Sequence, residues 1–229
     1  MSRYIKRAVL IGAGETEGID VHTLKRSEMF YPNGNDVEYQ DMIFALDGGL
    51  LYCEKNGLRP DYIIGDFDSL PEEKAVLLTK YPQESILRLP CEKDDTDMLA
   101  AIKFGTRKGI KEFVILGGLG GRLSHTIANL QCLMYLKEHG MNGVLIGKDT
   151  KAILLQNETY RFEEKRSGYI SVFAYSQSAS GIDLKNLKYE LSDAVLSSAF
   201  PLGVSNEFVE GKAAEVSVKD GTLLVVLDR

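Results

Sequence analysis

Residues 113–139 read FVILGGLGGRLSHTIANLQCLMYLKEH, and this stretch decides the fold class of the chain. A short apolar run, 113–116, leads into a loop with four glycines, and apolar residues then recur at helical spacing over 124–139. A strand that passes through a short glycine-rich loop into a helix is typical of βαβ units, in which the strands are parallel. The stretch therefore predicts an α/β fold with a mostly parallel sheet.

The same alternation of strands and helices extends over the first two thirds of the chain. Segment 15–40 is the exception, because it is polar and rich in turn formers and predicts little regular structure. The predicted strands are 8–11, 42–46, 62–64, 85–89, 113–116 and 143–146, and the predicted helices are 71–80, 97–108 and 124–139.

Beyond Lys148 the pattern changes to closely spaced strands without helices between them. The predicted strands here are 152–155, 169–175, 215–218 and 223–227. Such spacing indicates a small antiparallel sandwich or barrel. We therefore expect two domains, which are a mostly parallel α/β domain over residues 1–148 and a smaller antiparallel β-sandwich or barrel domain over residues 149–229.

The composition narrows the functional classes. The 229 residues carry a net charge of -6 with interspersed signs, so the chain lacks a basic stripe of the kind that binds nucleic acid. No apolar run reaches the roughly 18 residues of a membrane span, and the N-terminal apolar run is too short for a signal peptide. Three scattered cysteines suggest neither a disulfide framework nor a zinc site. We expect a cytoplasmic protein that binds neither nucleic acid nor membranes.

Two acidic clusters follow predicted strands, at the edge where open α/β sheets bind ligands. In the first cluster, Asp66 and Asp68 lie two residues apart in an extended segment, so both carboxylates can face one side. In the second cluster, Asp94 and Asp97 precede a predicted helix. Turn formation and helix capping are the structural alternatives. However, crowded carboxylates repel each other unless a cation lies among them, and hard oxygen donors suit Mg²⁺.

A third cluster is the glycine loop 117–121, which leads from a predicted strand into a predicted helix. Its backbone amides and the helix N-terminus can approach an anionic group closely. The glycine spacing fits neither a P-loop nor a dinucleotide-binding motif. Arg122 can supply paired contacts to phosphate oxygens, and Lys93 is a second candidate cation. His125 and Asn129 lie four residues apart and should share one face of the helix.

Four motifs occur in order along the chain: D-G-G at 47–49, G-D-F-D-S at 65–69, K-D-x-T-D at 93–97 and G-G-R-x-x-H-x-x-x-N at 120–129. This order resembles the thiamine pyrophosphokinases. The similarity continues through segments 181–189 and 203–208. It implies an enzyme that uses Mg²⁺ and transfers the terminal diphosphate of ATP to the hydroxyl of thiamine.

The resemblance also implies how the two domains would act. The α/β domain would bind ATP and carry the catalytic residues, and the β-rich domain would bind thiamine. The family works as a homodimer, with thiamine between the α/β domain of one subunit and the β domain of the other. We assign Mg²⁺ to Asp66, Asp68 and Asp97, and the catalytic set adds Asp94 and Arg122. The expected ATP- and thiamine-binding residues are Asp47, Gly48, Lys93, Thr96, Gly118, Gly121, Arg122, His125, Asn129, Ser205 and Asn206.

One position departs from the family pattern. Family members commonly carry aspartate where this chain has Ser124. Serine keeps a hydroxyl that can cap the helix or bond a ligand, but it lacks the charge of a strong Mg²⁺ ligand. Two alternatives therefore stand beside the expected reaction. One is a diphosphotransferase for a different alcohol, because nucleotide and metal motifs say little about the acceptor. The other is a catalytically impaired paralogue that binds nucleotide and thiamine.

Overall fold

The computed structural model describes residues 4–19, 38–67, 76–92, 94–164 and 166–229. These residues form two compact units, and the chain passes from the first unit to the second between Lys148 and Asp149. Among the helices of the described residues, none is long and apolar enough to cross a membrane.

The first unit contains a parallel sheet of six described strands. Each pairing between neighbouring strands is parallel, and the spatial order is β6-β5-β1-β2-β3-β4. The inner strands are apolar and buried, as expected for a parallel sheet with both faces covered. All six predicted strands are confirmed, and their bounds are β1 (Tyr4–Ile11), β2 (Glu38–Leu46), β3 (Tyr62–Gly65), β4 (Ile86–Arg88), β5 (Glu112–Leu116) and β6 (Asn142–Ile146).

Three α-helices are described in the first unit: α1 (Gly49–Lys55), α2 (Asp97–Arg107) and α3 (Leu123–Glu138). The two longer ones confirm the predictions over 97–108 and 124–139. Of the predicted helix 71–80, residues 71–75 lie outside the described residues, and Val76–Lys80 is a 3-10 helix. A second 3-10 helix, Gln83–Ser85, was not predicted.

Helix α1 was also missed, because a seven-residue helix behind two glycines has the local pattern of a turn. The glycine at its start has a packing reason. A Cβ atom at Gly49 would lie 1.9 Å from the carbonyl oxygen of Ile11, so only glycine lets α1 begin against the end of β1. Helix α1 is thereby fixed beside the carboxyl edge of the sheet.

The second unit contains eight antiparallel strands in two groups, β12-β9-β14-β7 and β11-β10-β13-β8. The four strands predicted here are confirmed as β7, β9, β13 and β14. The other four were missed, because they are short or carry few apolar residues. The bounds are β7 (Thr150–Gln156), β8 (Thr159–Arg161), β9 (Tyr169–Ala174), β10 (Ser178–Lys185), β11 (Leu191–Ser197), β12 (Gly203–Glu207), β13 (Glu215–Ser217) and β14 (Thr222–Asp228).

Candidate active site

The carboxyl ends of β1 and β5 mark the place where this sheet is expected to bind a ligand. Strands β2, β3 and β4 lie on one side of β1, whereas β5 and β6 lie on the other. The strand order therefore reverses between β1 and β5, which is called a switch point. In open α/β sheets a crevice opens there, between the loops that leave the two strands. Here these loops are 12–19 and 117–122. They are joined by a hydrogen bond of 3.1 Å, which the backbone N–H of Gly14 donates to the carbonyl oxygen of Gly117.

Three of the predicted acidic residues interact at this edge of the sheet. Asp47 follows β2, Asp66 follows β3, and Asp97 is the first residue of α2. The pKa of Asp47 is raised from 3.8 to about 7, and burial is the largest cause. A hydrogen bond with Asp97, the charge of Asp97 and the charge of Asp66 contribute to the same rise, which places the three side chains close together.

The position of the Asp47 carboxylate depends on a glycine in the neighbouring strand. Asp47 has a left-handed backbone with φ of 43°, and its Oδ1 accepts a hydrogen bond of 3.3 Å from the backbone N–H of Phe67. A Cβ atom at Gly65 would lie only 1.8 Å from this Oδ1. The glycine of the G-D-F-D-S motif therefore leaves the space in which the carboxylate lies.

The raised pKa of Asp47 predicts how the stability of the metal-free protein depends on pH. Native Asp47 keeps its proton up to about pH 7, whereas the unfolded chain releases it near 3.8, so the stabilisation is present below 3.8 and is lost as the pH rises through 7. Asp47→Asn should abolish this loss. Because the side chain is half-exposed, we discount the effect to about 1 kcal/mol, or roughly 2–4 °C in Tm at pH 8.

Thermal melts in the presence of a chelator at pH 4.5 and pH 8 test this expectation. The Asn variant should melt higher than the wild type at pH 8 and close to it at pH 4.5. Glu84→Gln replaces an exposed carboxylate of the same unit and should leave both melting temperatures unchanged. An Asp47→Asn difference of equal size at the two pH values would contradict the prediction.

Two of the three predicted metal ligands lie among the described residues. Asp66 and Asp97 are described, whereas Asp68 and the predicted phosphate contact Lys93 lie outside the described residues. Within the described part of the chain, no group of three or more His, Cys, Asp or Glu side chains is arranged to hold a metal ion. The assignment of Mg²⁺ to Asp66, Asp68 and Asp97 therefore stays a prediction.

The K-D-x-T-D motif serves in part to start a helix. Thr96 is the N-cap of α2, and its hydroxyl accepts a hydrogen bond of 3.2 Å from the backbone N–H of Leu99. The capping alternative is therefore confirmed for Thr96. Asp94 is exposed, and Lys103 holds its neighbour Asp95 through contacts of 2.7 and 2.8 Å.

The glycine loop after β5 is held by Asn129 from α3. The buried Asn129 amide donates a hydrogen bond of 2.8 Å to the carbonyl oxygen of Gly118. Gly120 and Gly121 have φ of 79° and 63°, a conformation that favours glycine. The amide nitrogen of Asn129 therefore fixes the loop and leaves the loop amides in a defined position. That Asn129 also binds a ligand stays a prediction.

The polar residues that follow this loop are exposed. Arg122 is the N-cap residue of α3, and its side chain makes no capping hydrogen bond. Ser124 is the second residue of the helix, so the suggestion that Ser124 caps α3 is wrong. Arg122, Ser124 and His125 are all open to solvent near the crevice.

Sequence patterns did not identify loop 12–19 as part of the site. Ala13 contacts the D-G-G motif, since a Cβ atom at Gly48 would lie 2.9 Å from the Ala13 side chain. The Tyr52 hydroxyl of α1 donates a hydrogen bond to the carbonyl oxygen of Ile19, at the other end of the loop. A sequence signal for this loop was nevertheless present. G-A-G at 12–14 directly follows an apolar run, as the glycines at 117–121 do.

The two predicted site residues of the second unit differ in accessibility. Ser205 is exposed and has a left-handed backbone with φ of 56°. Asn206 is buried, and its side chain bonds the backbone N–H and carbonyl oxygen of Tyr189 at 2.9 and 2.7 Å and the N–H of Glu207 at 2.9 Å. Asn206 therefore fixes the backbone at Tyr189, whose ring is exposed.

Two family models match the chain in order. The model of the thiamin pyrophosphokinase catalytic domain matches residues 35–145, and the model of the thiamin pyrophosphokinase vitamin B1 binding domain matches residues 159–223. Together the two matches span more than three quarters of the chain. The thiamine pyrophosphokinase of Bacillus subtilis (strain 168) is 26% identical over 183 residues, which are 80% of this chain and 85% of the relative.

Solved structures share the fold over nearly the whole chain. Thiamine pyrophosphokinase from Bacillus subtilis has a TM-score of 0.81 at 22% identity and covers 97% of this chain and 98% of its own. Thiamin pyrophosphokinase from Candida albicans has a TM-score of 0.77 at 15% identity and covers 99% of this chain and 93% of its own. With both family models matched in order, the chain belongs to the thiamine pyrophosphokinase family.

Proposed function

We propose that the protein transfers the terminal diphosphate of ATP to the hydroxyl of thiamine and releases AMP. The observation that carries the proposal is the interaction of Asp47, Asp66 and Asp97 at the same sheet edge as the glycine loop, in a chain of this family. Such an edge can bind a polyphosphate through backbone amides on one side and a metal ion through carboxylates on the other.

The polyphosphate would lie against the loop that follows β5. Gly121 is exposed and leaves the backbone accessible, whereas Gly118 is buried below the loop surface. The amides at the start of α3 provide a partial positive charge. The exposed Arg122 would make paired contacts with phosphate oxygens, with Lys93 and His125 as further contacts. Gly48 would line the same edge, because it packs against loop 12–19.

The donor set fits Mg²⁺ by its chemistry. Asp66 and Asp97 add to the raised pKa of Asp47, which shows an excess of negative charge that a divalent cation would relieve. We assign Asp66, Asp68 and Asp97 as the residues that would hold the ion. When bound, Mg²⁺ would neutralise charge on the phosphate oxygens.

The chain would contribute mainly position and charge to the reaction. The thiamine hydroxyl oxygen would attack the β-phosphorus in line and give its proton to a carboxylate acceptor at the site, while the bond from that phosphorus to the α-phosphate oxygen breaks and AMP leaves. Arg122 and the loop amides would hold the polyphosphate for this displacement. Asp94, which is exposed and precedes α2, would contact substrate.

Thiamine would bind to the second unit, over residues 149–229. Of the two predicted residues in this unit, Ser205 is exposed and would contact thiamine directly. Asn206 is buried and would act by holding Tyr189 and Glu207 in place. The thiamine pocket would be completed by the α/β domain of a second copy. Four large apolar side chains that are exposed on β11, on β12 and in the loop that joins them support a partner surface, namely Val195, Phe200, Leu202 and Val204.

A direct assay tests the proposed reaction. The protein is incubated with ATP, Mg²⁺ and thiamine, and AMP and thiamine diphosphate are separated by chromatography. Formation of both products in equal amounts is expected. AMP formation with another alcohol but not with thiamine would favour the different acceptor, and tight binding of ATP and thiamine without AMP would favour the impaired paralogue.

Ser124→Asp should lower the Mg²⁺ concentration that gives half-maximal turnover by about threefold. The change places a carboxylate at the position where family members commonly carry one, and an added anionic oxygen strengthens a site for a hard cation. AMP release is measured against Mg²⁺ concentration for wild type, Ser124→Asp and the control Ser124→Ala. Identical Mg²⁺ curves for wild type and Ser124→Asp would show that this position does not contact the metal.

Sedimentation velocity at assay concentration should show a dimer. Val204→Asp should shift the protein toward monomer and lower its activity, because a charge would be buried in the proposed interface. Val76→Asp is the matched control, since Val76 is 62% exposed and Val204 is 52% exposed. A fully active wild-type monomer would refute the shared site.

We also propose a cytoplasmic location. Cys53, Cys91 and Cys132 all lie among the described residues, and each is a free thiol. Free cysteines are typical of a reducing compartment, which supports the proposal.

A further inference from the structure

Lys148 lies at the carboxyl edge of the sheet, two residues after the end of β6. Its side chain runs along loop 12–19, because its methylene carbons lie 3.4 to 3.5 Å from the Cβ position of Gly18. Gly18 has a φ of 78°, so this turn of the loop favours glycine, and the missing side chain leaves room for the lysine. The stem of Lys148 is therefore placed beside the loop of the switch-point crevice.

The loop that supports Lys148 is itself fixed at several points. Near its start, the backbone N–H of Gly12 donates to the carbonyl oxygen of Leu116 at 2.9 Å, and Gly14 bonds Gly117. At its end, the Tyr52 hydroxyl bonds the carbonyl oxygen of Ile19. These contacts hold the surface against which the lysine stem packs.

The charged groups at this edge are unevenly distributed. Asp47, Asp66 and Asp97 belong to the side of β2, β3 and α2, whereas Arg122 and Lys148 follow β5 and β6 on the other side of β1. An anionic chain that crosses the crevice would therefore meet the three aspartates at one end. At the other end it would meet the two cations, with the Glu15 carboxylate beside Gly120.

Lys148 differs from the paired cations of the first unit. In the described part of that unit, ion pairs join Arg7 to Asp41, Lys80 to Glu54 and Lys103 to Asp95. No described carboxylate of the unit pairs with Lys148. The two carboxylates of the supporting loop, Glu15 and Glu17, are exposed and are not among its partners.

We propose that Lys148 binds the polyphosphate of the nucleotide, from the side of the crevice opposite the carboxylates. This inference rests on the proposed function, because it assigns a further residue to the same site. A lysine whose stem is held by packing and whose ammonium is exposed acts as a point charge for phosphate oxygens. The chemistry recognised is a chain of phosphates, not the base or the thiamine acceptor.

Calorimetric titration with inorganic tripolyphosphate, and with ATP in the absence of thiamine, tests the inference. Lys148→Met keeps the apolar stem and removes the charge, so the affinity for both ligands should fall about fivefold to tenfold. The Tm and the KM for thiamine should not change. Lys148→Arg should restore most of the affinity, and the loss should be smaller at high salt because exposed charges are screened.

Lys111→Met is the matched control. Lys111 is exposed and precedes β5, so it lies at the opposite edge of the same sheet. Its replacement should leave both affinities unchanged. Wild-type affinity for tripolyphosphate in Lys148→Met would overturn the inference, as would an equal loss in Lys111→Met.

The binding measurement also separates this inference from the proposed reaction. If wild type forms no AMP but Lys148→Met still weakens tripolyphosphate binding, the phosphate contact stands and the proposed function fails. If wild type forms AMP while Lys148→Met binds tripolyphosphate normally, the proposed function stands and Lys148 has no part in it.

Discussion

Replacing Asp66 with asparagine should lower turnover at least about tenfold at saturating ATP and thiamine, which corresponds to roughly 1.4 kcal/mol in the barrier. Asparagine nearly preserves the shape of the side chain but removes an anionic oxygen from the cluster with Asp47 and Asp97. An amide is a weaker ligand for Mg²⁺ than a carboxylate. The Mg²⁺ concentration needed for half-maximal turnover should rise in the same variant.

The measurement is AMP release as a function of Mg²⁺ concentration, with Asp97→Asn as a companion variant. Glu84→Gln removes an exposed carboxylate just before the amino end of β4, away from the carboxyl edge of the sheet, and should behave as wild type. A lower turnover with an unchanged Mg²⁺ curve would indicate that Asp66 acts on substrate and not through the metal. Unchanged turnover in both Asp variants at saturating Mg²⁺ would contradict the proposed role of the cluster.

The six strands of the parallel sheet and the two long helices were predictable because their signals are local. An apolar run such as 113–116 can be buried on both faces only in a covered sheet, and the spacing over 124–139 fits one helix face. The order of the strands was not predictable in the same way. Nothing within β5 indicates that it pairs with β1, because that pairing joins segments about a hundred residues apart.

The motifs of the candidate site were predicted, but the way in which the Asp47 carboxylate is held was not. Asp47 alone has the pattern of a turn, and its role depends on Gly65 leaving space for its carboxylate. The amides of Asn129 and Asn206, which were predicted as ligand contacts, also hold backbone groups, because a buried amide must satisfy its own hydrogen bonds. A polar residue in a motif can thus serve the site by holding another group.

Gly65→Ala should disrupt the position of the Asp47 carboxylate and lower both stability and turnover. The new Cβ would lie 1.8 Å from Oδ1 and 2.6 Å from Cγ of Asp47, so either the carboxylate or the end of β3 must move. Forcing an atom into packed surroundings costs about 1–3 kcal/mol of stability, and displacing the carboxylate should also reduce turnover by at least about tenfold. Urea unfolding and AMP release measure the two effects.

A double-mutant cycle with Asp47→Ala identifies the cause of the stability loss. Truncating Asp47 at Cβ removes both atoms that the new methyl group would meet, and the next contact, the backbone nitrogen of Asp47 at 3.3 Å, is only slightly tight. Gly65→Ala should therefore cost little stability in the Asp47→Ala background, with a coupling energy of roughly 1–3 kcal/mol between the two positions. If the cost is the same in both backgrounds, the strain lies in the backbone at residue 65 and the carboxylate does not occupy the space that this glycine leaves.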